Sequence, residues 1–156
     1  MRQTFDTALK ELGTELELGP LALDQDGTAA IGIDDVEIGM IFIGDTQEIQ
    51  LYAIVGAIPD DADDRFFSVL LSANNMGAAT GGAALAVNDA DNAVTINRRH
   101  STDKITSATL SEALQRFADT VEGWRQNYEL LTGAVLQAAS GGRAATTAPN
   151  DAWIKI

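Results

Sequence analysis

The residues able to do chemistry are few, and each fails a specific requirement. Gly77-Ala78-Ala79-Thr80-Gly81-Gly82 is glycine-rich, as a phosphate-cradling loop is. It follows a helical pattern instead of a strand, however, and it carries no Lys-Ser/Thr pair at Walker spacing. Asp24-Gln25-Asp26-Gly27 opens like a calcium loop but lacks the later glycine and the closing glutamate. His100, Ser101 and Asp103 are triad residue types, yet neighbours in sequence do not form a triad, and no G-x-S-x-G elbow is present. Asp34-Asp35 and Asp60-Asp61 fall in a turn and a helix start, where a carboxylate stays solvated; acid catalysis needs a desolvated one. The residues therefore point to no catalytic centre.

Composition narrows the classes further. The chain has 156 residues, no cysteine, one histidine, and 10 Lys+Arg against 23 Asp+Glu, for a net charge of −13. That length suits one domain, burying roughly two-thirds of its unfolded surface. Without cysteine there are no disulfides, thiolate metal sites or cysteine nucleophiles, and one histidine makes no cluster. The acidity argues against nucleic acid and anionic membranes as partners, since both need a basic footprint. No apolar run approaches the length of a membrane span, and Met1 leads into polar residues without a signal-peptide pattern. A soluble, cytoplasmic domain is the expectation. The charge is uneven: residues 1–80 hold 15 acids and 3 bases (15 − 3, net −12), and residues 81–156 hold 8 and 7 (net −1). That imbalance fits either simple solubility or a surface that receives a basic or aggregation-prone partner.

Periodicity supplies the scaffold. Phe5, Leu9, Leu12 and Leu16 recur at helical spacing, predicting a helix over 2–13 with Gly13 as its C-cap or a weak point near its end. Residues 21–58 predict four strands. Leu21 and Leu23 form the first, with Asp26-Gly27 as a hairpin turn into Ile31 and Ile33. Val36–Ile43 and Ile49–Ile58 follow, the last apolar on both faces and so central. Pro59–Asp64 reads as an acidic helix start. The helix behind it, 62–76, is apolar almost all round, which predicts burial against its own sheet and a second body. A hairpin over 85–96 comes next. Thr109-x-x-Glu112 is a capping-box pattern before a long stripe from Leu110 to Val135. Residues 138–156 read as a flexible tail behind a single domain over 1–137. The order is that of an α+β domain with a twisted antiparallel sheet flanked by helices.

The stretch Ala73-Asn74-Asn75-Met76-Gly77-Ala78-Ala79-Thr80-Gly81-Gly82-Ala83 resembles the class I type III secretion chaperones, the Tir-chaperone-like family. Leu51-Tyr52-Ala53, Pro59-Asp60-Asp61 and Leu114–Arg125 are similar to it too, so the likeness covers residues 3–130. The resemblance implies an α-β-β-β-α-β-β-α order with one early strand split. It also implies a homodimer that holds an extended N-proximal segment of a secreted effector, with no cofactor and no catalysis. The secretion-system ATPase is a further partner it suggests. In the family the middle helix makes the dimer, which implies Phe66, Phe67, Val69, Leu70 and Ala73, with Val94 and Ile96 beside them. Effector grooves involve the first helix and early strands, which implies Phe5, Leu9, Leu12, Leu21, Leu23, Ile31, Ile33, Ile41 and Ile43. The alternatives are a regulatory protein of the same fold that binds no effector, docking on an ATPase or a regulator, and a small ligand-binding α+β domain.

Overall fold

The structure is a computed structural model describing residues 2–138, with side chains as far as Tyr128. The elements are α1 (Arg2–Glu15), β1 (Thr28–Ile33), β2 (Val36–Ile43), β3 (Glu48–Ala57), α2 (Asp64–Ala73), β4 (Ala84–Asn88), β5 (Ala93–Ser101) and α3 (Ser107–Ala138). The strands form one antiparallel sheet in the order β1-β2-β3-β5-β4. This is the α+β order expected, with three early strands instead of four.

Leu21 and Leu23 do not form a strand, and the cause is local. The chain leaving α1 turns back across Gly13, where any Cβ would lie 2.3 Å from the Gly19 carbonyl oxygen. Gly13 is thus a crossing point inside the helix and not its cap. The returning segment lays Leu21 and Leu23 against the core as irregular chain. The Asp24 carboxylate then accepts the Thr28 N–H at 2.8 Å and the Thr28 hydroxyl at 2.7 Å. These bonds hold its pKa below the usual carboxylate value, the Thr28 hydroxyl contributing most. Asp24–Gly27 is therefore a side-chain-stitched turn into an edge strand, not a hairpin loop.

The core forms on one face of the sheet. Ile49, Leu51, Ala53 and Val55 of β3 alternate inward with Ile38 and Met40 of β2 and Val94 and Ile96 of β5. Phe5, Leu9 and Leu12 of α1 cover them together with Leu110, Leu114, Phe117 and Val121 of α3, all fully buried. On the other face Gly39 of β2 lies under the ring of its partner Tyr52, and a Cβ there would come within 2.1 Å of the ring. A bulge between Ile54 and Gly56 bends β3, and Gly56 in turn accommodates the ring of Tyr128 from α3. Burial pushes the Tyr128 phenol up to about 12. Its hydroxyl donates to the Ala57 carbonyl.

Helix ends follow their side chains. Asp63 caps α2, accepting from the Arg65 and Phe66 amides at 3.0 and 3.2 Å. The capping of α3 sits one turn earlier than Thr109-x-x-Glu112 suggests. Thr106 and Thr109 bond reciprocally, each hydroxyl accepting the other's amide, so Thr106 is the cap. The predicted stripe beyond Tyr128, including Leu131 and Val135, lies outside the described side chains, and the 138–156 tail lies outside the described residues beyond Ala138.

After α2 the chain makes a short 3-10 turn, Asn75–Gly77, with Met76 in the left-handed region at φ 59°. This turn places Asn74 against the outer edge of β4. The Asn74 amide nitrogen donates to the Leu85 carbonyl at 3.0 Å, and its oxygen accepts the Leu85 N–H at 2.8 Å. One side chain thus takes the place of a neighbouring strand at Leu85. Replacing Asn74 with alanine strands both groups of Leu85, and we expect a loss of about 1–3 kcal/mol in unfolding free energy by urea titration. A loss under a few tenths of a kcal/mol would contradict this role.

Candidate interaction surfaces

Three surfaces are left for partners, and each follows from how the strands are satisfied. The first is the outer edge of β1. Residues on an edge strand alternate between bonding inward to the ladder and pointing outward. Thr28 points outward, because both its N–H and its carbonyl are taken by Asp24. Ala30 and Gly32 share its parity and are exposed, so their backbone groups face solvent at this edge. The strand Thr-Ala-Ala-Ile-Gly-Ile has no charge and no proline, the usual guards of an edge. The opposite edge, β4, is the one Asn74 occupies.

The second surface is the uncovered face of the sheet. It forms a groove of about 1130 Å³, lined by Ile41 and Ile43 on one side and by Gln50, Asn97 and Arg99 on the other. Arg99 donates to the Gln50 side chain at 3.0 Å and lies 3.6 Å from Glu48, while Gln50 donates to Asn97 at 3.1 Å. These polar groups are already partnered, and the apolar contact surface of the groove includes Ile41, Ile43, Val87 and the Tyr52 ring.

The third surface is the outer side of α2. Phe66 and Leu70 turn into the core, and Phe66 meets Tyr128 edge-on at 6.0 Å. Val69 is 41% exposed, Leu71 71% and Met76 92%. Val69 and Leu71 flank the buried Phe66–Leu70 stripe on opposite sides, and Met76 lies in the turn that follows, so the exposed apolar groups are spread around the outside of α2.

Arg125 holds the frame of the first surface. Beyond the Gly39–Tyr52 pair, β2 and β3 no longer register. Arg125 from α3 reaches into this divergence, donating to the Ile54 carbonyl at 3.0 and 3.1 Å and to the Asp35 carbonyl at 2.9 Å. It ties the β1–β2 turn to the bulge of β3.

The residues singled out from the sequence separate into groups. Phe5, Leu9, Leu12 and Ile31 are enclosed in the protomer, so they support the groove region from beneath instead of lining it. Their spacing marks burial, and the same spacing would mark a groove. Leu21, Leu23 and Ile33 are partly buried against the core, and Ile41 and Ile43 line the open groove. Among the dimer candidates, Val69 is exposed and Phe67 and Ala73 are half-buried. Phe66, Leu70, Val94 and Ile96 are buried in the protomer's own core. Leu71 on α2, Met76 in the turn after it, and Ala30 and Gly32 on β1 are not among the site residues the sequence suggests. The absence of charge along β1 is the signal that marks that edge.

A sheet covered on one face, with a bare edge, an open groove and an apolar helix side, defines a protein-binding module. The model of the Tir chaperone protein (CesT) family matches residues 7–125, and the chain belongs to this family. Solved structures agree on the fold. A chain of the ExsC–ExsE complex superposes with a TM-score of 0.71 at 20% identity, covering 81% of this chain and 94% of that one. A chain of the HopA1–SchA chaperone–effector complex gives 0.65 at 18%, covering 80% and 95%. The Yersinia pestis type III secretion chaperone SycH, in complex with a stable fragment of YscM2, gives 0.59 at 17%, covering 77% and 98%. A search of curated proteins by sequence found no match.

His100, the single histidine, lies opposite Ile49 on β5 with its Nε2 buried and without a hydrogen-bond partner. Burial, then the charge of Arg98, lowers its pKa below 6.5. The unfolded chain therefore binds the proton more readily, and stability falls as pH drops through the ordinary histidine range. Unfolding free energy measured at pH 7.5 and 5.5 should fall more in the native chain than in His100→Gln. Equal falls would show that His100 does not contribute.

Proposed function

We propose that this chain is a type III secretion chaperone that works as a homodimer in the bacterial cytoplasm. In this reading it holds an extended N-proximal segment of a secreted effector, keeps it soluble and secretion-competent, and carries out no catalysis. Family membership supports the class. The observation that carries the mechanism is the bare β1 edge beside the open groove.

The physics is that of strand addition. Main-chain bonds to Ala30 and Gly32 accept any extended sequence, while Ile41, Ile43 and the Tyr52 ring offer contacts for alternate side chains. Ordering an unfolded segment costs free energy, so the effector must cover more than one edge, and a dimer doubles the surface. The −12 carried by residues 1–80 favours effector segments richer in bases and keeps the loaded complex dispersed. The solved HopA1–SchA chaperone–effector complex contains a chain of this fold, which supports the same use here. Delivery to the secretion-system ATPase is the step that follows in this reading.

Co-expression with effector N-terminal segments tests the cargo role. A segment that is insoluble alone should co-purify with the native chain. Gly32→Pro removes an outward N–H without removing a ladder bond, so it should weaken capture by at least about tenfold while the melting curve stays in place. Failure of every N-terminal segment to co-purify would sink the cargo role.

The exposed side of α2 is the proposed dimer surface. Val69→Asp and Leu71→Asp together should convert the dimer to a folded monomer by sedimentation at micromolar concentration. A dimer that survives both changes removes α2 from the interface.

A further inference from the structure

We infer that β5 carries a second strand-addition edge, at Arg99 and Ser101, which takes an extended segment of another protein bearing two successive acidic residues. This surface is separate from the β1 edge, the groove and α2, and it does not depend on the cargo reading.

The edge exists because β4 is shorter than its neighbour. The last pair between them is Ala84 with Asn97, while β5 runs on to Ser101. The cause is the turn before β4. Gly81 and Gly82 both lie in the left-handed region, at φ 60° and 83°. Trp124 of α3 donates its indole N–H to the Ala79 carbonyl at 3.0 Å, and a Cβ on Gly81 would lie 3.5 Å from the Thr120 hydroxyl. The chain therefore approaches β4 from the helix side and joins the sheet only at Ala84. The place in the sheet beside Arg99 is left to solvent.

Parity sets where the backbone groups point. Asn74 holds both the N–H and the carbonyl of Leu85, so Leu85 does not bond to Ile96, and the bonded pair is Ala84 with Asn97. Thr102, of the opposite parity, donates its N–H to the Gln47 carbonyl on the β3 side. Arg99 and Ser101 share the parity of Asn97, so their N–H and carbonyl groups point outward past the end of β4. Both residues are exposed, and among the described residues nothing bonds to these groups.

Charge names the occupant. The chain carries a net −13, yet residues 98–104 hold Arg98, Arg99 and Lys104 against Asp103 alone. Arg98 and Arg99 project to opposite faces of the sheet. Arg99 lies on the open face, near Gln50 and Glu48. Arg98 lies on the helix side, where a Cβ on Gly82 would come 3.9 Å from its guanidinium. It is half-buried, and among the described residues its guanidinium has no hydrogen bond or ion pair. A guanidinium partly removed from water with its donors unpaired favours a carboxylate beside it. A strand laid along Arg99 and Ser101 puts the residue opposite Arg98 on that helix side and the next residue on the open face beside Arg99. Two successive acids thus meet the two arginines, one on each face, while the main chain supplies the other bonds. The β1 edge, between Asp24 and Asp26 at one end and Asp34 and Asp35 at the other, repels such a segment, so the two edges select opposite charge.

Amide hydrogen exchange read by NMR on the full-length chain tests this. The probes are two synthetic peptides capped at both ends, Thr-Val-Glu-Glu-Val-Thr and Thr-Val-Lys-Lys-Val-Thr. At millimolar concentration the glutamate peptide should slow exchange at the Arg99 and Ser101 amides at least about tenfold, with Ala30 and Gly32 changed less than about twofold. The lysine peptide should leave Arg99 and Ser101 unprotected. Arg98→Gln and Arg99→Gln together should weaken the glutamate peptide about tenfold with the melting curve in place. Arg98→Lys, which keeps the charge, should lose less. No protection from the glutamate peptide, equal protection by both peptides, or full affinity in the double variant each overturns the proposal. Protection present without peptide and lost on dilution also overturns it, assigning the edge to a second copy. Cargo capture is read separately, by co-purification, so none of these outcomes bears on the cargo reading.

Discussion

The constraint on which this fold depends is the burial of one face of β3. Ile49, Leu51, Ala53 and Val55 must leave water together, and α1 and α3 are the bodies that cover them. A sheet covered on one side has another side and two edges to account for. Asn74 satisfies the β4 edge at Leu85 with a single carboxamide, and Arg125 bridges the divergence between β2 and β3. What is left over is the edge of β1, the groove above Tyr52 and the outer side of α2. The interaction surfaces are thus the remainder of the core's own packing.

Much of this was legible in the sequence where periodicity was strong. The stripes of α1 and α3 and the alternation of β2 and β3 predicted their elements, and Pro59–Asp64 predicted the capped start of α2. The alternation at Leu21 and Leu23 is genuine, but it does not show that the chain leaving α1 turns back over Gly13 and lays both leucines on the core as irregular chain. The same limit governed the groove residues. Phe5 and Leu9 carry the pattern of an apolar face, and that pattern does not tell an inner surface from an outer one. Asn74 was visible as part of a motif, but its work, to stand in for a missing strand, needs Leu85 on the page beside it.

Charge and apolar surface divide the labour. The exposed apolar residues Val69, Leu71 and Met76 sit on one helix and its following turn. Acidic groups crowd the turns around the β1 edge: Asp24 and Asp26 at one end, Asp34 and Asp35 at the other. Such an arrangement discourages two like-charged edges from meeting each other while leaving the edge available to a neutral or basic strand. A bare edge can then persist without inviting its own kind.

The two glycine–tyrosine contacts have a consequence for descent. Gly39 with Tyr52, and Gly56 with Tyr128, each fill one space with two residues, so neither member has an independent optimum. A side chain gained at the glycine must be matched by one lost at the ring. The ring of Tyr52 lies on the open face of the sheet and that of Tyr128 on the buried side. Lineages that reshape the groove for a new partner are thus expected to change 39 and 52 together, leaving 56 and 128 as they are.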